Sequence, residues 1–132
     1  MPDVAIIGVG IHPFGRFGPK SAIDMGAEAI RGALEDAGAE WKDVQFAFGG
    51  SFEVDNPDAV VALLGATGIP FMDVYNGCAT AATALELTAD SIRSGKYDIG
   101  VAVAWTSTCP GPSPRTPCTT ARRLGMGRTG SS

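Results

Sequence analysis

Among its 132 residues the chain has one histidine and three cysteines, so it is poor in the residues that most often ligate metals or staple folds. Three is an odd number, and Cys78, Cys109 and Cys118 have no framework spacing. That fits a reducing, cytoplasmic compartment better than a disulfide-stapled secreted fold. No apolar run reaches the roughly 20 residues of a bilayer span, and Asp3 without a basic start does not read as a secretory signal. Basic residues number 10 against 14 acidic, with no clustered basic surface, which argues against nucleic acid or anionic membrane as the main partner.

What is present alternates. Val4–Val9 is a short apolar run closed by Gly8 and Gly10 and reads as a strand. Ser21 and Asp24 have capping-box spacing and open a helix with Ile23, Ala27, Ile30, Ala33, Leu34 and Ala37 on one face and Gly38 as C-cap. Val44–Phe48 reads as a second strand ended by Gly49 and Gly50. A helix follows, with Asn56 as N-cap, Pro57 at its first position and Gly68 as its stop. A strand over 70–75, a helix from Ala79 to about Ser94, and a strand over Ile99–Val103 complete a β-α-β-α-β-α-β order. The fold class is therefore α/β: a mostly parallel, mixed sheet with helices on both faces. The domain is read as residues 1–103, with an irregular tail over 104–132. The helix after residue 78 is rich in Ala79, Ala81, Ala82 and Ala84 around much of its girth, which predicts burial on all sides under a further layer.

Cys78 stands where the strand over 70–75 turns through Asn76-Gly77 into that helix. Aligned main-chain N–H groups at a helix start favour an anion, so the spacing predicts a thiolate nucleophile. Its own N–H is a candidate donor to a developing oxyanion, and Asn76 is a positioning residue at the turn. Of the other chemistry-bearing residues, His12 sits in a Gly/Pro turn and reads as a turn histidine rather than a base. Gly8-x-Gly10 lacks the third glycine of a dinucleotide loop, Pro13 standing there. Glu53, Asp55 and Asp58 read as an acidic loop rather than a metal site. Cys109 and Cys118 fit no zinc pattern.

From Trp105 to Ser132 the chain has no acidic residue and no lysine, and Pro, Thr, Gly and Ser predominate. Back-translated from Ala104 and read one base earlier, the text becomes G-(V/L)-D-K-H-L-P-G-A-F within codon degeneracy. The expectation is an out-of-frame tail following a nucleotide lost near the Val103 codon.

Residues 4–103 resemble the N-terminal half of the thiolase superfamily, most closely the sterol-carrier-protein-type thiolases, also labelled lipid-transfer proteins or acetyl-CoA acetyltransferases. Ile6-Ile7-Gly8-Val9-Gly10, Leu34-Glu35-Asp36-Ala37-Gly38, Asn76-Gly77-Cys78-Ala79-Thr80 and Ala89–Gly95 carry the likeness. The resemblance implies an acyl-CoA thioester as substrate with no bound cofactor or metal. It also implies Cys78 as the acyl-accepting nucleophile in thiolysis or Claisen condensation, and a homo-oligomeric parent. The family's catalytic histidines and second cysteine belong to a C-terminal half absent from this chain, so the resemblance implies no turnover by the chain alone. Ala81 stands where the family often has Gly. Two other readings compete: a non-catalytic acyl-CoA or lipid-binding subunit, and a functionless product of a broken frame.

Overall fold

The computed structural model describes residues 3–15, 17, 20–51 and 56–106. In chain order come α1 (Ala22–Ala37), a 3-10 turn (Trp41–Asp43), β1 (Phe46–Gly50), α2 (Asp58–Leu64) and β2 (Phe71–Asp73). A second 3-10 turn (Gly77–Ala79), α3 (Thr80–Arg93) and β3 (Gly100–Ala104) follow. The three described strands form one parallel sheet in the order β2-β1-β3, with Ala47 opposite both Phe71 and Val101.

Side chains alternate across β1, and the two faces meet different layers. Ala47 joins one core with Ala27 and Ile30 of α1, Val60 of α2, Phe71 and Val103. Phe46 points the other way, stacks on Tyr97 with centroids 4.4 Å apart, and lies on the α3 side of the sheet. Helices therefore cover both faces, as the alternation predicts. Ile30, Val44, Phe46 and Val60 are the largest fully enclosed side chains.

Local chemistry explains the helix ends. The Ser21 hydroxyl accepts from Asp24 N–H at 3.1 Å, Ser21 N–H donates to the Asp24 carboxylate at 3.3 Å, and Gly38 closes α1 in the left-handed region at φ 66°. Asn56 Oδ1 accepts from Asp58 N–H at 2.9 Å and starts α2. That helix stops at Leu64, with Gly65 at φ 119° and Trp41 Nε1 donating to the Gly65 carbonyl at 2.9 Å. The predicted stop, Gly68, lies three residues further on because Gly65 already supplies the turn.

One expectation is corrected. Val4–Val9 is not a strand of the described sheet: Ile6, Ile7 and Val9 are exposed. The segment instead lies on α1, where a Cβ at Gly8 would run into the Ala33 carbonyl and one at Gly10 into the Ala29 carbonyl. Val9 N–H donates to Asp36 Oδ2 at 2.9 Å. The apolar pattern suits a strand, but no described strand lies alongside; Val4, Ala5 and Ile7 face Ile99 and Gly100 across a cleft of about 190 Å³. The layer expected over α3, from the rest of a longer protein or a partner subunit, is not tested by this chain, within which the buried stripe of the helix is Thr80, Ala84 and Thr88. Ala79, Ala81, Ala82 and Leu85 are exposed, on the helix surface away from β1 and β3, the strands against which α3 packs.

Boundaries shift as well. β1 runs on through Gly49 and Gly50, β2 shrinks to Phe71–Asp73, and β3 extends to Ala104. Trp105 packs into the core beside Phe71, with its ring against Gly26. A side chain at position 26 would meet that ring at 3.0 Å, so glycine lets α1 and the indole approach.

Candidate active site

A parallel sheet presents all its strand carboxyl ends on one side, and a crevice forms there where successive strands leave the sheet in opposite directions. Here β1 has β2 on one flank and β3 on the other, so that crevice lies between the ends of β1 and β3. A cavity of about 360 Å³ occupies it, lined by Gly50 and Ser51 at the end of β1, Tyr75, Gly77 and Cys78 after β2, Thr80 and Ala81 of α3, and Ala104 to Thr106 at the end of β3. Each strand contributes its carboxyl end.

Cys78 is exposed on the rim, in the middle of the 3-10 turn, two residues ahead of the first residue of α3. The expected helix start is thus a tighter turn that feeds the α-helix. Gly77 takes φ 55°, a left-handed conformation that glycine adopts without penalty. Ala79 N–H donates to the Asn76 carbonyl at 3.0 Å and closes the turn. Among the described residues the Cys78 main-chain N–H meets no acceptor.

Asn76 and two threonines hold this turn. Asn76 N–H donates to Thr80 Oγ1 at 2.9 Å, and Thr80 Oγ1 donates to the Gly77 carbonyl at 2.8 Å. Asn76 Nδ2 donates to Thr83 Oγ1 at 2.9 Å. Asn76 and Cys78, two residues apart, are thus on one rigid turn at the cavity. Thr80, Thr83, Ser51 and Trp105 were not singled out by sequence reasoning. The threonines carry a retrospective signal, four and seven residues after Asn76, which is helical spacing; Trp105 fell in text read as tail.

His12 is elsewhere. Its Nδ1 donates to the Pro13 carbonyl at 2.8 Å, its Nε2 lies 2.9 Å from Lys20 Nζ and 3.4 Å from Glu28 Oε2, and Phe17 packs on it edge-to-face at 4.6 Å. The Lys20 hydrogen bond holds the Glu28 carboxyl below its ordinary range. This cluster ties the first loop to α1 and lines no wall of the cavity. Asp58 sits in the first turn of α2. Glu53, Asp55, Cys109 and Cys118 lie outside the described residues. Among the described residues no helix is long and apolar enough to cross a membrane.

Comparison with known proteins agrees with this architecture. The chain is 35% identical over 109 residues to acetyl-CoA acetyltransferase of Methanothermobacter thermautotrophicus, covering 77% of this chain and 28% of that protein. It is 34% identical over 111 residues to sterol carrier protein 2 of Oryctolagus cuniculus, covering 80% and 20%. The priming β-ketosynthase of the R1128 polyketide biosynthetic pathway superposes with a TM-score of 0.54 at 30% identity, over 59% of this chain and 25% of that one. The chain thus spans less than a third of each relative. The profile of the thiolase N-terminal domain matches residues 4–107, and the chain belongs to that family.

Proposed function

We propose that this chain carries the nucleophile of a thiolase-like acyltransferase acting on acyl-CoA. The Cys78 thiolate attacks the thioester carbonyl carbon, the carbonyl electrons move onto oxygen, and collapse of the tetrahedral adduct expels CoA as its thiolate. The acyl group is left on Cys78 Sγ. The main-chain N–H of Cys78 donates to the oxyanion as it forms, and Asn76 holds the turn so that this N–H and the sulfur face the same carbonyl.

The observation that carries this reading is the position of Cys78: exposed on the rim of a cavity at the carboxyl ends of three parallel strands, on a turn braced by Asn76, Thr80 and Thr83. The name of the acetyl-CoA acetyltransferase relative supplies the substrate class. The proposal includes a cytoplasmic setting, supported by the sparse cysteines, and a homo-oligomeric whole enzyme. It also includes lack of turnover by this chain alone, since the chain spans 28% of that relative.

The test is incubation of the full chain with butyryl-CoA, followed by intact-mass and peptide mapping. One butyryl group on Cys78, absent from Cys78→Ser, is the expected result. Reversible ligand binding that survives Cys78→Ala with no covalent adduct would instead establish a binding subunit.

A further inference from the structure

The chain has two asparagines, Asn56 and Asn76, and the residue after each decides whether its side-chain amide can be lost. Asn56 precedes Pro57, whose nitrogen carries no N–H and so cannot close a ring on that amide. Asn76 precedes Gly77, whose nitrogen has its proton and no side chain beside it. Among the described residues the Gly77 N–H meets no acceptor. Asn76 and Gly77 are both exposed, and a Cβ at Gly77 would have nothing within 4 Å, so water reaches the pair.

For the Gly77 nitrogen to reach Asn76 Cγ, Asn76 must rotate about χ1 and ψ, and the turn restrains both. Asn76 Nδ2 donates to Thr83 Oγ1 at 2.9 Å, which fixes the side chain on α3. The Asn76 carbonyl accepts from Ala79 N–H at 3.0 Å and its own N–H donates to Thr80 Oγ1 at 2.9 Å, which together fix ψ. The Thr83 bond lies at the surface while the Thr80 bond is part-buried, so the side chain is the first to be released.

We infer that Asn76 is a site of spontaneous deamidation, that Thr83 sets its rate, and that the conversion silences Cys78. With the side chain released, the Gly77 amide proton passes to water as its nitrogen bonds to Asn76 Cγ. The Cγ–Nδ2 bond breaks, and Nδ2 takes up a proton and leaves as ammonia. Water then opens the cyclic imide at either carbonyl, giving aspartate or, with the main chain rerouted through the side chain, isoaspartate. Both products place a carboxylate two residues ahead of the thiol, where a like charge disfavours the thiolate. Isoaspartate also adds a methylene to the main chain and shifts the sulfur from its place at the cavity. The modification follows from the turn alone; the loss of acylation rests on the acyl-transfer reading of Cys78.

The experiment incubates the full chain in mildly alkaline ¹⁸O-water, where the Gly77 nitrogen loses its proton more readily, and follows it by peptide mapping and enzymatic methylation of isoaspartate. Uptake of ¹⁸O at Asn76, with Asn56 unlabelled, is the expected result. Thr83→Val is expected to speed the conversion about fivefold and Thr83→Ser to keep the native rate, because only valine removes the hydroxyl acceptor. Where Thr83→Val does not fold, labelling of Asn76 in the native chain decides. The converted chain is expected to lose about tenfold in butyrylation of Cys78 by butyryl-CoA and about twofold in alkylation by iodoacetamide. No label at Asn76, or conversion that leaves both reactions of Cys78 unchanged, would overturn the inference. If the fresh chain takes no butyryl group, the acyl-transfer reading falls by itself, and slower alkylation of the converted chain still supports the inference.

Discussion

Asn76 Nδ2 donates to Thr83 Oγ1 at 2.9 Å, so the residue two places before Cys78 is fastened to the first turn of α3 seven positions ahead. With the Asn76 main-chain bond to Thr80, this makes a clamp around the segment that carries the thiol.

Breaking the clamp should loosen aim more than stability. Asn76→Ala loses one partly exposed hydrogen bond, a cost of about 1 kcal/mol in urea unfolding. Butyrylation of Cys78 is expected to fall about tenfold, because a misplaced nucleophile loses its alignment with the carbonyl. Alkylation by iodoacetamide, which demands no such alignment, should change less than twofold. Equal losses with both reagents would mean that Asn76 acts only through folding.

Gly77 isolates conformational strain from crowding. A Cβ there meets nothing within 4 Å, yet the residue holds φ 55°. Gly77→Ala is therefore expected to cost about 1–2 kcal/mol through the left-handed backbone alone. Gly77→Asn should recover part of it, both read from chemical denaturation.

The Ser21–Asp24 capping box sets an acid limit. Hydrogen bonds from the Ser21 hydroxyl, and then from its N–H, hold the Asp24 carboxyl below its ordinary range. A group whose folded pKa is depressed stabilises above its unfolded value, about 3.9, and that contribution is lost as pH falls through the folded value. Asp24→Asn is expected to flatten the stability profile below about pH 4. Ser21→Ala should cost about 1 kcal/mol at neutral pH. An Asp24→Asn profile parallel to the parent down to pH 2 would refute the assignment.

Gly10 tests how the N-terminal segment is held. A Cβ at this position has no room against the Ala29 carbonyl and Ala33 N–H of α1. Gly10→Ala is expected to lift the segment and lower stability by about 1–3 kcal/mol. Amide exchange over α1 should accelerate at the same time. An unchanged melting temperature would show that the segment contributes no packing.

Much of this fold was legible because its signals are local. The capping box at Ser21, the left-handed Gly38, Asn56 ahead of α2, and the turn at Asn76-Gly77 before Cys78 are each written within four residues. What was misread depends on distant neighbours. Val4–Val9 has a strand's composition, but a strand needs a ladder partner, and periodicity cannot supply one. How far α3 is covered also depends on distant neighbours: among the described residues its buried stripe is Thr80, Ala84 and Thr88. Trp105 sits one residue past β3 in text whose composition reads as tail, while its burial comes from Gly26, 79 positions earlier. The threonines bracing Asn76 were hidden because a hydroxyl's role follows from the side chain it faces.

The flank of Gly100–Ala104 turned away from β1 has further consequences in the test tube. Its amide and carbonyl groups have no ladder partner among the described strands, and such a row templates any strand it meets. Recombinant material should accordingly self-associate as concentration rises, and kinetic work belongs at low micromolar protein with light scattering run alongside.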